Sequence, residues 1–197
     1  MENKFLAYND EKMDTVEDFK IPASWWSRPF EYAFAAKYVN KKHIVMDAGC
    51  GIEHPFKYYL ASNSKYTIAM DSDERLNDLY KPDNLNFIVS DMTVRDEREE
   101  MAFDTIFCLS VLEHMRPEQQ LKTIENFVKW LKPNGKLVLT VDYPTIKPDV
   151  LCAVLEPHFT IGKCDYDPDN KANIVMPYYN LKVFTLVGTK KKVVKCD

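Results

Sequence analysis

Short apolar runs alternate with segments of helical spacing along most of this 197-residue chain. Runs of strand length lie at 44–46, 66–70, 87–89, 105–109 and 136–141, with two further runs near 158–164 and 182–187. Alternation of this kind predicts a mostly parallel sheet with helices on both faces. No clear helical pattern separates the last two runs, so we expect an antiparallel hairpin there. The pattern predicts an α/β fold with a seven-stranded sheet.

Turn-forming residues mark where the predicted helices begin and end. Pro29 opens a helix that we expect to run to about residue 40. Shorter helices are predicted over about 55–61 and 73–80. The clearest helical pattern begins at Pro117, and the Lys-Pro-Asn-Gly sequence at 132–135 ends it.

The N-terminal part of the chain differs in character from the rest. Residues 1–20 are polar, and we expect them to be loosely structured. The sequence Ile-Pro-Ala-Ser-Trp-Trp-Ser-Arg-Pro that follows is rich in aromatics and turn formers. We divide the chain into a cap or lid segment, 1–40, and a ligand-binding domain, 41–197. A segment that precedes the first strand can cross the carboxyl edge of an open sheet, where ligands bind. The alternative is that the aromatic residues only anchor a structural helix.

Composition and charge narrow the functional classes. Hydrophobic residues make up 46% and charged residues 28%, which is an ordinary globular balance. No apolar run approaches the roughly 18–20 residues of a membrane helix, and the polar N-terminus does not fit a secretory signal, so we expect a cytoplasmic protein. A net charge of −4 disfavours a large nucleic-acid interface. The five cysteines form no CxxC pair, and we expect reduced thiols without a metal site.

A glycine turn follows the first predicted strand. That strand ends at Asp47, and Gly49-Cys50-Gly51 comes directly after it. Glycines at such a turn let backbone N–H groups approach a ligand closely. A dinucleotide site would need a third glycine, but this chain has Glu53 in that region, so NAD and FAD are disfavoured. A tight turn without a ligand is the alternative.

Acidic residues follow the second and third predicted strands. Asp71 lies 20 residues after Gly51 and is followed by Ser72, a spacing that suits a carboxylate accepting hydrogen bonds from ribose hydroxyls. Asp91 could accept a hydrogen bond from an adenine amino group, and Met92 could cover the ring. Ordinary surface carboxylates are the alternative for both acids.

The fourth predicted strand ends in a further motif. Taken with the glycine turn and the acidic residues, it is specific to one family of proteins. The ordered motifs between 43 and 142 are VMDAGCG, IAMDSD, FIVSDMT, FDTIFCLSVLEH and LKPNGKLVLTV. Together they resemble the class I S-adenosylmethionine (SAM)-dependent methyltransferases, in the branch whose fourth strand ends in Val-Leu-Glu-His. The resemblance implies a Rossmann-like methyltransferase fold and SAM as cofactor. The chain departs from the family at Glu53, where a third glycine is common.

The resemblance also implies a role for each matching residue. The turn residues Gly49, Cys50 and Gly51, with Asp47, would line the methionine half of SAM. Ribose would bind Asp71 and Ser72, and adenine would bind Asp91 and Met92. The SAM amino group would meet the backbone of Leu109 and Ser110. From the predicted lid, Arg28 could pair with the SAM carboxylate.

Methyl transfer from a sulfonium is an in-line displacement, so alignment of the acceptor supplies much of the catalysis. A hydroxyl or ammonium acceptor also needs a base. His114 is the first candidate because its ordinary pKa suits that role, and helix capping is the alternative. Asp142 and Tyr143, after the fifth predicted strand, are weaker candidates.

The acceptor is the part of the function that the sequence constrains least. No separate recognition domain is evident, so a small-molecule or sugar-like acceptor fits best. The choice between O- and N-methylation stays open. Two rival functions also remain: a SAM-binding protein without turnover, and a SAM-using enzyme of another class. Formation of S-adenosylhomocysteine (SAH) separates a methyltransferase from these rivals.

The paired glycine turn and Asp71 generate a first prediction. The chain should bind SAM and SAH but not NAD. Replacing Asp71 by Ala should weaken SAM binding by about 1.5–3 kcal/mol, because hydrogen bonds to a charged acceptor are lost. Isothermal calorimetry on folded protein measures this, and an unchanged affinity would transfer the ribose contact to another residue, Asp73 being the next candidate.

Overall fold

A seven-stranded sheet forms the centre of the computed structural model, which describes residues 2–94 and 101–192. In spatial order its strands are β6 (Leu85–Val89), β5 (Tyr66–Asp71), β4 (Ile44–Ala48), β7 (Phe103–Leu109), β8 (Leu131–Tyr143), β11 (Lys182–Lys190) and β9 (Phe159–Ile161). Neighbours from β6 to β8 pair in parallel, whereas β11 is antiparallel to both β8 and β9. The predicted mostly parallel sheet with an antiparallel hairpin is confirmed.

Within the described residues, four α-helices cover the two faces of this sheet. They are α1 (Arg28–Ala36), α2 (Phe56–Asn63), α3 (Pro117–Trp130) and α4 (Pro148–Leu155). Successive strand residues point to opposite faces, so Val45 packs in the cluster that includes α1 and α2, and Met46 packs in the cluster that includes α3 and α4. Within the described residues, no helix is long and apolar enough to cross a membrane.

Several predicted boundaries were wrong. The helix expected over 73–80 is a 3-10 helix, Glu74–Asp78, and its first turn is closed by the side chain of Asp73, which accepts the N–H of Arg75. The helix α4 was not predicted, because its largely apolar sequence has no clear periodicity. The run near 158–164 divides into β9 and a separate short strand, β10 (Lys163–Cys164).

The N-terminal segment is ordered rather than loosely structured. It forms the short strands β1 (Glu2–Asn3), β2 (Thr15–Val16) and β3 (Phe19–Lys20). Strand β1 pairs in parallel with β10, and β2 pairs with β3. Phe5 is buried against Phe184 and Tyr143, with ring centroids 5.2 and 5.6 Å away. The buried residues Phe5, Leu6 and Ala7 hold this otherwise polar segment against the sheet.

This burial predicts that residues 1–20 contribute to stability. Phe5→Ala should lower the free energy of unfolding by about 3–5 kcal/mol, the usual cost of removing a buried phenylalanine ring. The matched control is Tyr8→Ala, because Tyr8 is 65% exposed and its loss should cost less than about 0.5 kcal/mol. Denaturant melts of both variants make the comparison, and equal losses would contradict the packing described.

Candidate functional site

Three adjoining cavities lie along the edge where the parallel strands end. We call them the inner, rim and tryptophan cavities. The inner cavity is lined by Arg28, Tyr32, Asp47, Gly49, Cys50, His54, Phe56 and Leu109. The rim cavity is lined by Gly49, Asp71, Ser72, Ser90, Asp91, Met92, Val111, His114, Met115 and Gln119. The tryptophan cavity is lined by Ser24, Trp25, Trp26, Ser27, Arg28, His54, Ser110, His114 and Asp142. Every residue that the sequence predicted for cofactor binding lines a cavity, apart from Gly51.

The glycine turn after β4 has the backbone geometry that glycine permits. Gly49 and Gly51 have φ angles of +74° and +59°. A Cβ on Gly49 would lie 2.6 Å from the side chain of Val111, so the turn also needs the space. The N–H of Gly51 donates to Asp71 Oδ2 at 2.8 Å, and Asp71 Oδ1 accepts the N–H of Asp73 at 3.1 Å. The Asp71 carboxylate therefore connects the end of β5 to the turn.

A buried lysine holds the loop in which the third glycine is missing. Lys57, in α2, is fully buried and donates to the carbonyls of Gly51 at 2.8 Å, Ile52 at 3.1 Å and His54. Burial lowers the pKa of Lys57. Three carbonyls directed at one ammonium fix the loop without a further glycine. This role of Lys57 was not predicted from the sequence, because a lysine within a helical segment is ordinarily exposed to solvent.

His54 lies at the boundary between the inner and tryptophan cavities. Its Nδ1 is 3.1 Å from the hydroxyl of Tyr32, and its ring centroid is 4.6 Å from that of Trp25. Burial, together with the positive charges of Arg28 and Lys57, lowers the pKa of His54 to about 4. The imidazole is therefore neutral near pH 7.

A buried ion pair joins α1 to the ends of β7 and β8. Arg28 Nη1 donates to Glu31 Oε2 at 3.1 Å and to the carbonyl of Leu109 at 2.8 Å. The hydroxyls of Ser110 and Thr140 donate to the same Glu31 oxygen. Burial alone would raise the pKa of Glu31, but Arg28 and these hydrogen bonds outweigh it, so the pKa is lowered and the carboxylate is charged. Glu31 was not among the site residues predicted from the sequence.

The predicted lid segment lies over this edge and is also anchored. Trp25 and Trp26 line the tryptophan cavity, which has a volume of about 200 Å³. Trp26 and Phe30 also pack against a small core of Leu6, Ile174 and Val183. The packing of Trp26 and Phe30 anchors the segment, and its role as a lid stays a prediction.

The rim cavity, of about 220 Å³, holds the residues predicted for a nucleoside. Asp91 is exposed, and its Oδ1 accepts the N–H of Thr93 at 2.8 Å. Met92 is buried, and its carbonyl accepts the side-chain amide of Asn126 at 2.8 Å. Asn126 in α3 thereby positions the loop after β6, a contact that the sequence did not reveal.

Three acidic side chains at this edge, Glu113, Asp142 and Asp47, form no ion pair within the described residues, and Asp47 and Asp142 line cavities. Glu113 Oε1 accepts the backbone N–H of Asp142 at 3.2 Å, and its Oε2 is buried without a hydrogen bond. Burial raises the pKa of Glu113 to about 8 and that of Asp142 to about 6. Burial also raises the pKa of Asp47 to about 7, although Lys57 and Arg28 lower it. Near pH 7 Glu113 is therefore mostly protonated, whereas Asp142 is mostly ionised and supplies negative charge to the tryptophan cavity.

The candidate bases occupy different environments. His114 ends the 3-10 helix Leu112–His114, is exposed, and lines both the tryptophan and rim cavities. Asp142 lines the tryptophan cavity beside it. Tyr143 is not among the lining residues and packs edge-on against Phe5.

Comparison with known proteins finds similarity to methyltransferases. A family model described as a methyltransferase domain matches residues 46–137. Phosphoethanolamine N-methyltransferase 1 of Triticum aestivum is 31% identical over 121 residues, which cover 57% of this chain and 23% of that enzyme. Ubiquinone biosynthesis O-methyltransferase of Rickettsia akari is 24% identical over 155 residues, covering 66% of this chain and 59% of that enzyme. The chain thus spans only part of both relatives.

A solved structure shares the fold. It is the 1,6-didemethyltoxoflavin-N1-methyltransferase of Burkholderia thailandensis, crystallised with 1,6-didemethyltoxoflavin and SAH. The TM-score is 0.67 at 17% sequence identity, and the match covers 86% of this chain and 80% of that one.

The buried ion pair generates a stability prediction. Glu31→Gln removes one charge and leaves Arg28 uncompensated, so it should lower the free energy of unfolding by about 3–5 kcal/mol. The isosteric control is Glu11→Gln, which breaks the exposed 3.0 Å pair with Lys37 and should cost less than about 1 kcal/mol. Chemical denaturation compares the two, and similar small losses would show that the buried pair contributes little.

Proposed function

The chain carries the methyltransferase domain and the fold of the class I SAM-dependent methyltransferases, and from this premise we propose that it transfers a methyl group from SAM to a small acceptor molecule. The observation that carries the proposal is the meeting of three cavities at the carboxyl edge. The rim cavity adjoins the inner one at Gly49, and the tryptophan cavity adjoins both. Two cavities suit the two ends of the cofactor, and the third suits an acceptor.

The rim cavity fits the nucleoside end of SAM. An ionised carboxylate offers about four acceptor positions, and backbone N–H groups use two of those on Asp71. The remaining positions are available to ribose hydroxyls, with Ser72 beside them in the same cavity. Asp91 and Met92 line the same cavity and are assigned to adenine.

The inner cavity is assigned to the amino-acid end, with Arg28 for the carboxylate and the Leu109 carbonyl for the ammonium. Its volume is about 20 Å³, which is roughly one water molecule. Arg28 and the Leu109 carbonyl also bond to each other. Cofactor binding therefore requires these contacts to rearrange, which supports a lid role for the segment containing Arg28.

The cofactor supplies an electrophilic methyl group on a good leaving group, so the protein mainly has to align the acceptor and exclude water. The tryptophan cavity touches the inner cavity at Arg28 and His54 and the rim cavity at His114. An acceptor in it would lie between the two ends of the cofactor. His114 and Asp142 border this cavity, and we assign them as the candidates to receive a proton.

The acceptor is assigned as a small molecule on the size of its cavity. A volume of about 200 Å³ lies below the roughly 300–1,000 Å³ of typical drug-sized ligand sites. The names of the two relatives also refer to small molecules, phosphoethanolamine in one and ubiquinone biosynthesis in the other.

The cofactor and lid assignments share one experiment. Calorimetry should show binding of SAM and SAH but not of NAD. Hydrogen exchange at residues 22–32 should slow when SAH is added, because closure of a lid excludes water. Residues of β4, which are buried in either state, are the internal control. Binding of SAH with unchanged exchange in 22–32 would reduce this segment to a structural anchor, and no binding of either ligand would contradict the proposed function.

A further inference from the structure

The tryptophan cavity has features that define the chemistry of its ligand. The inference rests on the proposed function, because the cavity is taken as the acceptor site. Its position at Arg28, His54 and His114 puts any ligand beside both other cavities. The charges on its walls then decide which acceptor it favours.

The positive charge on the wall is compensated, whereas the negative charge is not. Arg28 forms a 3.1 Å ion pair with the fully buried Glu31. His54 is neutral because its pKa is lowered to about 4. Asp142 has no ion pair within the described chain. Glu113 accepts the backbone N–H of Asp142 and, with its pKa raised to about 8, is mostly uncharged near pH 7. The ionised Asp142 therefore makes the wall attract cations and repel anions.

The pKa of Asp142 is consistent with this charge balance. Burial and the neighbouring Glu31 raise it to about 6, against an opposing effect of Arg28. A cation in the cavity would reverse part of that rise, so its binding and the ionisation of Asp142 favour each other.

The aromatic walls also favour a cation. Trp25 and Trp26 both line the cavity, and tryptophan is the side chain that attracts ammonium groups most strongly through its ring face. A carboxylate and two indoles around a small volume are the components of an ammonium site.

We propose that the methyl acceptor is a compact amine, bound as its ammonium ion by the Asp142 carboxylate and the indole rings of Trp25 and Trp26, and methylated on nitrogen. His114, which lines the same cavity, takes one proton from the ammonium, which leaves a neutral amine with a free electron pair while Asp142 stays ionised. That pair forms the new N–C bond while the C–S bond of SAM breaks and its electrons stay on sulfur. The products are the methylated ammonium ion and SAH, and protonated His114 releases its proton to solvent.

Ligand binding to the SAH-saturated protein tests the proposal without requiring the natural acceptor. The probes are benzylammonium, benzyl alcohol and benzoate, which share a ring and differ in charge. Calorimetry should show benzylammonium binding about tenfold or more tightly than the alcohol, with benzoate weakest, because a partly desolvated ion pair is gained only by the cation. Asp142→Asn should reduce the difference between ammonium and alcohol to about twofold or less. The control Asp149→Asn, an exposed carboxylate in α4, should leave it unchanged.

Each other outcome is informative. Equal binding of ammonium and alcohol would overturn the proposal in favour of a hydroxyl acceptor, and preferred binding of benzoate would overturn it by showing that Arg28 dominates the cavity. Binding of SAH with no binding of any probe would overturn the amine site while leaving the methyltransferase assignment intact. Absence of SAH binding itself would instead contradict the proposed function, and the acceptor inference with it.

Discussion

The buried carboxylate of Glu31 is the constraint on which the rest of the site depends. A charge removed from water must find partners, and Glu31 finds them on three elements at once: Arg28 on α1, Ser110 after β7 and Thr140 on β8. This network fixes the start of α1 at the carboxyl edge of the sheet. The two tryptophans that precede α1 therefore have to lie over the same edge. The position of these cavity walls therefore depends on the hydrogen bonds and the ion pair that the buried Glu31 carboxylate requires.

A second buried charge, that of Lys57, holds the loop after the glycine turn. The loop after the glycine turn lacks the third glycine that lets a chain turn closely onto a helix. Lys57 supplies three hydrogen bonds to carbonyls of that loop instead. The neutral His54 is held in this loop between Tyr32 and Trp25. The departure from the family motif therefore changes how the loop is held and adds a side chain to the site.

The sequence allowed the sheet and the outline of the cofactor site to be predicted, because both depend on local patterns. Short segments alone determine the strand period, the Gly49–Gly51 turn and the spacing of Asp71. In the structure the N–H of Gly51 donates to the Asp71 carboxylate, as that spacing allows. Glu31, Lys57 and Asn126 could not be found in this way. Glu31 and Asn126 bond to residues that only the fold brings near them, whereas Lys57 bonds to carbonyls three to six residues before it. In all three cases a charged or amide residue within a helical pattern predicts solvent exposure. The burial of Phe5 was missed for the same reason, since its partners are far along the chain.

The position of Asp142 determines which of the two reacting atoms, sulfur or nitrogen, its charge can stabilise. Methyl transfer to an amine moves positive charge from sulfur to nitrogen. Rate enhancement requires interactions that strengthen as the reaction proceeds, since equal stabilisation of substrate and transition state leaves the barrier unchanged. Asp142 lines the tryptophan cavity and is absent from the walls of the inner and rim cavities. For the proposed acceptor, its charge is therefore placed where positive charge arrives rather than where it departs. Because Glu113 holds the backbone of Asp142 in advance, little reorganisation accompanies that stabilisation.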